Sequence, residues 1–150
     1  MTKNNQNKVL IFFPTYNAEK TIQNVLQSIP PAISHLDYEI LIIDDCSQDK
    51  TFKTARIYKE EFKHLNLNIL RNPESQGYGG NQKIGLHYAI KNNFDILVVF
   101  PPDGKYSLEH IESLINTFED SNVDMLLGSR ITSVLKAFKN GMPVLRFLGV

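Results

Sequence analysis

Four short polar clusters in this 150-residue chain combine residue types that handle phosphate, a cation or a planar base. They are Pro14-Thr15-Tyr16-Asn17, Asp44-Asp45-Cys46-Ser47-Gln48-Asp49, Pro101-Pro102-Asp103-Gly104-Lys105-Tyr106 and Gly128-Ser129-Arg130. A carboxylate such as Asp44 or Asp45 accepts hydrogen bonds from a ribose or from an imide N–H. Asp103 offers a hard oxygen ligand to a divalent cation that bridges a diphosphate. Lys105 and Arg130 can neutralise phosphate oxygens, the arginine with two parallel hydrogen bonds. Tyr16 brings a ring that stacks on a base.

Each cluster alone has a plainer reading. Asp-Asp after a strand is a common turn and helix start, Asp49 reads as a helix cap, and Asp103-Gly104 is an ordinary turn. Their joint placement is what carries weight, because all four follow strand-like runs. In open α/β sheets, ligands bind beyond the carboxyl ends of the strands, where the strand order reverses. Gly77-Tyr78-Gly79-Gly80 precedes a helix whose N-terminus suits a phosphate. Leu86-His87 stands where a P-loop needs Lys-Ser/Thr, so these glycines read as conformational. Cys46 and the scattered histidines His35, His64, His87 and His110 read as structural.

The elements that must position these clusters alternate in type. Residues 8–13 (KVLIFF), 38–43 (YEILII), 65–70, 95–100 and 123–127 read as strands. Between them, residues 18–29 place Ile22, Val25, Leu26 and Ile29 on one helical stripe. Residues 50–64 read as a helix capped by Asp49, and residues 81–91 as a third. Ser107 caps a fourth, with Ile111, Leu114, Ile115 and Phe118 inward. Residues 128–150 show mixed periodicity. Such alternation predicts right-handed crossovers and a mainly parallel α/β sheet with helices on both faces.

Composition sets the limits. Apolar residues are 42% and charged residues 21%, as in ordinary globular domains. The length fits one domain over residues 1–150, since single cores commonly take about 100–150 residues. Sixteen basic and sixteen acidic residues cancel, which argues against a basic field for nucleic acid. One cysteine excludes an internal disulfide framework. The longest apolar runs, 9–13 and 96–100, fall far short of the ~20 residues a membrane span needs. The polar N-terminus carries no signal-peptide pattern, so the expected compartment is the cytoplasm.

Taken in order, FPTYNAEKTI, LIIDDCSQDKT, NPESQGYGGNQKIGLHYAI, DILVVFPPDGKYS, LLGSRI and GMPVLRFLG resemble the family 2 glycosyltransferases of the GT-A fold. The dolichol-phosphate mannose synthase-like branch is the nearest in flavour. The resemblance implies a Rossmann-like GT-A sheet and a nucleoside-diphosphate sugar (UDP- or GDP-linked) as donor. It implies transfer to an acceptor such as a polyprenyl phosphate, at the inner face of the membrane, in glycolipid or cell-envelope polysaccharide synthesis. Pro14 and Tyr16, with Asn17 beside them, take the place of the base-binding motif, and Asp44 and Asp45 that of the pair at base and ribose. Asp103 takes the second position of the Asp-x-Asp motif that holds Mg²⁺ or Mn²⁺ and the diphosphate. Arg130 matches the arginine near the diphosphate.

Two departures stand out. Pro101 occupies the first position of the Asp-x-Asp motif and Lys105 the place usually held by Gln. An acid is lost and a cation gained within one turn, so Lys105 is expected to share the diphosphate charge with Asp103 and Arg130 as the catalytic set. The chain also stops in an apolar stretch at Leu148-Gly149-Val150, which reads as truncation with the acceptor portion missing. The competing reading is therefore a nucleotide-sugar-binding module without transfer activity. A receiver-like signalling domain ranks lower, because its acid pair would follow the first strand, where Pro14-Thr15-Tyr16 stands.

Overall fold

Eight-residue β1 (Lys8–Thr15) is buried from Val9 to its end, as a continuous apolar run demands when both of its faces are covered. In the computed structural model, which describes residues 7–29, 33, 35–104 and 108–128, β1 lies between β2 (Asp37–Asp44) and β4 (Ile96–Val99). β3 (Leu67–Arg71) flanks β2, and the order is β3-β2-β1-β4, all parallel. The helices are α1 (Ile22–Gln27), α2 (Thr51–Glu61), α3 (Gly77–Lys91) and α4 (Ile111–Asp120), the last preceded by a 3₁₀ turn at Leu108–His110. Contacts divide the chain into two compact units, Met1–Ile115 and Asn116–Val150.

The first three strands step outward from β1, and the crossover through α3 then returns to the other side of β1. The strand order therefore reverses at β1, the place where open α/β sheets bind ligands. Register aligns Thr15 with Asp44 and Asp44 with Arg71 in one row at the carboxyl rim. The ladder runs one residue further: Asp45 N–H donates to the Thr15 carbonyl at 2.8 Å, and Asn72 N–H to that of Asp44 at 2.9 Å.

α3 packs on the face that carries Leu10, Phe12, Leu41 and Ile43. Side chains alternate across a strand, so Pro14, Tyr16 and Asp45 point to this same face. Asp44 points to the other, toward α2. Gly85 sets how close α3 comes to β1, because a Cβ there would lie 2.6 Å from Phe12 Cδ1 and Cζ.

Several sequence expectations shift. The helix expected over 18–29 is only Ile22–Gln27, preceded by a turn in which the Thr21 and Ile22 N–H groups share the Ala18 carbonyl. The second helix starts at Thr51, and Lys50 occupies the cap position. Asp49 still does the capping chemistry from one residue back, its Oδ1 accepting from the N–H and hydroxyl of Thr51. Asp49→Ala should cost about 1 kcal/mol, the usual loss for a helix cap, read as a lower urea midpoint at constant slope. A midpoint equal to wild type would refute that role.

The glycine-rich segment expected as a loop before residue 81 is instead the first turn of α3. Gly77 opens it at φ +68°, a conformation that a side chain resists. The fifth strand expected over 123–127 does not form: the residues are irregular and exposed. A strand needs a ladder partner, and among the described residues none pairs with this segment.

Candidate functional site

A cleft of about 360 Å³ opens at the carboxyl rim, lined by Pro14, Thr15, Tyr16, Asp45, Ser75, Gly77, Tyr78 and Asn81. Three sequence-distant pieces meet there: the end of β1, the end of β2 and the first turn of α3. Pro14, Tyr16 and Asp45, three of the residues singled out from sequence, share this wall.

Asp45 organises the cleft. Its Oδ1 accepts from Asn72 Nδ2 and from the Gln76 N–H, each at 2.8 Å, and its Oδ2 from Ser75 Oγ at 2.9 Å. Asp45 is 3% exposed. Burial pushes its pKa up, but donors from Gln76, Asn72, Ser75 and the Gly77 backbone outweigh that and hold it below the usual carboxylate range. A carboxylate has about four lone-pair positions, and these four donors account for them.

Asp44 is the other half of the pair, and strand alternation sends it away from the cleft. Its Oδ2 meets Arg71 Nε at 3.2 Å and accepts from the Ser47 N–H at 3.3 Å. Arg71 also donates to the Ser47 carbonyl at 3.0 Å and stands over the Phe52 ring. The side chain of Asp44 therefore shapes the loop after β2 from behind. Its Oδ1 is buried and has no hydrogen-bond partner among the described residues.

Asn17 ties two rim loops together. Its N–H donates to Ser47 Oγ at 2.8 Å, and its Oδ1 accepts from the Gln48 N–H at 2.9 Å. Asn17 and Cys46 both adopt left-handed backbone, at φ 47° and 60°, which turns the chain sharply after each strand. The Ala18 N–H donates to Thr51 Oγ1 at 2.7 Å and the Glu19 N–H to Asp49 Oδ2 at 3.2 Å, completing the brace. Burial raises the Asp49 pKa, and hydrogen bonds from Thr51 and Glu19 more than reverse it, so it sits below the usual range.

Asp103 stands exposed in the turn that follows β4, on the side of β1 opposite β2. It is not among the residues lining the cleft. Lys105 and Arg130 lie outside the described residues. Among the described residues no three His, Cys, Asp or Glu side chains gather as a metal site, and the acceptor capacity of Asp45 is already used. An exposed hard-oxygen carboxylate at Asp103 still fits Mg²⁺ or Mn²⁺ arriving with a diphosphate, since Mg²⁺ often takes one or two carboxylates and fills its shell with phosphate and water.

Sequence reasoning missed Asn72, Ser75, Gln76, Tyr78 and Asn81. Asn72 was open to detection: it ends β3 on the same rim as the other clusters. Asn81 Nδ2 donates to the Ile43 carbonyl at 2.9 Å, pinning α3 to β2, while its buried Oδ1 has no hydrogen-bond partner among the described residues. No signal in the sequence separates this asparagine from a surface one.

An open parallel sheet with helices on both faces and a cleft at its order reversal is a Rossmann-like nucleotide-type fold. The chain belongs to glycosyl transferase family 2, whose sequence profile matches residues 10–145. It is 31% identical to the UDP-N-acetylglucosamine–dolichyl-phosphate N-acetylglucosaminyltransferase of Methanococcus voltae, over 94% of this chain and 58% of that one. It is 28% identical to the dolichol-phosphate mannosyltransferase of Pyrococcus furiosus, over 82% of this chain and 33% of that one. The chain thus spans between a third and three-fifths of these relatives' lengths. Among solved structures, TarS of Staphylococcus aureus superposes with a TM-score of 0.54 at 25% identity, covering 75% of this chain and 20% of that one. Its fragment 1–349 with UDP-GlcNAc gives a TM-score of 0.60 at 21% identity, covering 84% and 38%, a likeness of fold. The expected GT-A architecture is therefore present. Among the described residues no helix is long and apolar enough to cross a membrane.

Proposed function

We propose that this chain binds a nucleoside-diphosphate sugar at the carboxyl rim and forms the donor half of a glycosyltransferase. The observation that carries this reading is that Tyr16 and Asp45, from different strands, line one cleft at the reversal of strand order. The nucleoside occupies the cleft, with Tyr16 against the base and Asp45, which orients Asn72, Ser75 and Gln76, in the wall beside it. The diphosphate runs along the rim toward Asp103. A divalent cation held there by Asp103 would, when bound, offset the diphosphate charge. Lys105 and Arg130 are assigned the same duty from their places in the sequence.

Kinship with dolichyl-phosphate transferases supports a polyprenyl phosphate as acceptor. Its oxygen attacks the anomeric carbon as the bond to the diphosphate breaks, so the nucleoside diphosphate leaves and the sugar inverts. That oxygen is already anionic, so this acceptor needs no general base. Catalysis is then positioning plus stabilisation of the leaving charge. The membrane face is the place where such an acceptor resides.

Thermal shift with UDP, GDP, UDP-GlcNAc and GDP-mannose in the presence of Mn²⁺ tests donor binding. Ligand at a hundred times its Kd stabilises by about 2.7 kcal/mol, which at about 2–4 °C per kcal/mol should raise Tm by roughly 5–10 °C. No shift with any of the four would reject the reading. Release of nucleoside diphosphate on adding a short polyprenyl phosphate would then establish transfer.

A further inference from the structure

Two tyrosines line the cleft from different segments, and sequence reasoning assigned a role to only one. Tyr16 follows β1 and is 52% exposed; Tyr78 sits in the first turn of α3 and is 61% exposed. Both rings are held on fixed backbone. The Tyr16 loop is braced through Asn17 to Ser47 and Gln48. The turn bearing Tyr78 is pinned on both sides, by the Gln76 N–H on Asp45 and by Asn81 Nδ2 on the Ile43 carbonyl. Exposed aromatic rings on a rigid frame lose little further freedom on binding.

We infer that Tyr78 is a second aromatic contact to the nucleobase, in the same cleft as Tyr16. This rests on the reading of the cleft as a nucleotide site. The alternatives for Tyr78 are the sugar or the diphosphate, and the topology argues against both. The cleft lies on the β2 and α3 side of β1, whereas Asp103 follows β4 on the other side. A diphosphate reaching toward Asp103 points the sugar away from Tyr78 and leaves the base beside it. About 360 Å³ is near the lower end of the roughly 300–1,000 Å³ found for small-ligand sites, which suits the nucleoside part of the donor better than all of it. Stacking between two rings tolerates either a pyrimidine or a purine, so the choice of base falls to polar groups of the cleft.

The test is isothermal titration of wild type, Tyr78→Ala and Tyr78→Phe with UDP, GDP and their sugar forms. For whichever diphosphate the wild type binds, Tyr78→Ala should weaken affinity about tenfold while Tyr78→Phe stays within about threefold, as expected for loss and retention of a stacking ring. Because Tyr78 is exposed, the alanine variant should melt with wild type. Equal binding of UDP or GDP by wild type and Tyr78→Ala overturns the inference and leaves the proposed function standing. A loss confined to the sugar-bearing forms also overturns it, since the ring would then touch the sugar. Failure of the wild type to bind any of these nucleotides removes the proposed function and this inference together.

Discussion

Replacing Asp45 with alanine should loosen the cleft and destabilise the fold together. The carboxylate is the single acceptor for Asn72 Nδ2, the Gln76 N–H and Ser75 Oγ. Hydrogen bonds to a charged group are each worth about 1.5–3 kcal/mol, and a buried donor left without a partner costs about as much again. Ser75 and Gln76 can turn to water, but Asn72 is 7% exposed and cannot do so freely. The expected cost is about 2–4 kcal/mol, less than the sum because the three bonds act as one unit. The segment that carries Ser75, Gly77 and Tyr78 then loses its anchor, and nucleotide affinity should fall at least about tenfold, the equivalent of one lost charge-assisted bond. Asp45→Asn keeps the size but turns an NH₂ group toward these donors, so it should lose a large part of both. Urea unfolding and nucleotide titration read the two effects. An Asp45→Ala variant within about 0.5 kcal/mol of wild type, the range of neutral surface changes, would refute the clamp.

Acid should expose the same contact. The folded pKa of Asp45 lies below its unfolded value, so the unfolded chain binds the proton more tightly. The stability this group contributes is complete above the ordinary carboxylate value of about 3.9 and is lost as pH falls through the lower folded value. Asp49 is shifted the same way, so the difference between wild type and Asp45→Asn isolates the Asp45 share. That difference should shrink steadily below about pH 4. A difference independent of pH would show that the charge on Asp45 contributes nothing.

Gly85→Leu should abolish soluble expression, and Gly85→Ala should destabilise. The second result reverses the usual sign, because alanine in place of a helical glycine normally gains about 0.5–1 kcal/mol. At Gly85 the new methyl group would run into the Phe12 ring, 2.6 Å from Cδ1 and Cζ. Phe12 is fully buried on the central strand, packed with Leu10, Leu41 and Ile43. Overpacking of this kind costs about 1–3 kcal/mol, which exceeds the propensity gain. The strain would also lift α3 from β1 and carry Tyr78 and Asn81 with it, so nucleotide affinity should fall too. Gly79→Ala, in the same helix with nothing within 4 Å of the added Cβ, is the matched control and should be neutral or mildly stabilising. Equal urea midpoints for the two alanine variants would remove the close-packing account.

The four parallel strands and their helices were legible from residue order, because hydrophobic runs and stripes are local properties of the chain. KVLIFF and YEILII cannot be half-exposed strands, so both had to be interior, and β1 and β2 are. The rim position of Tyr16, Asp45 and Asp103 followed from each standing just after a strand. Ends of elements were less legible, as at α3, whose start is set by a distant carboxylate capturing the Gln76 N–H. The divergence of Asp44 and Asp45 was implicit in the period of a strand, but which face would hold the cleft depended on where α3 packs.

Local pattern thus established the α/β architecture, the family likeness and the rim position of the polar clusters after β1, β2 and β4, because each depends on neighbours in the chain. Only the folded chain assigned Asp45 to clamp residues 72–77, Asp44 to brace Arg71, and Tyr78 to the same cleft as Tyr16. Those pairings join residues some 30 to 60 positions apart, and no local propensity encodes a contact formed when separate elements pack.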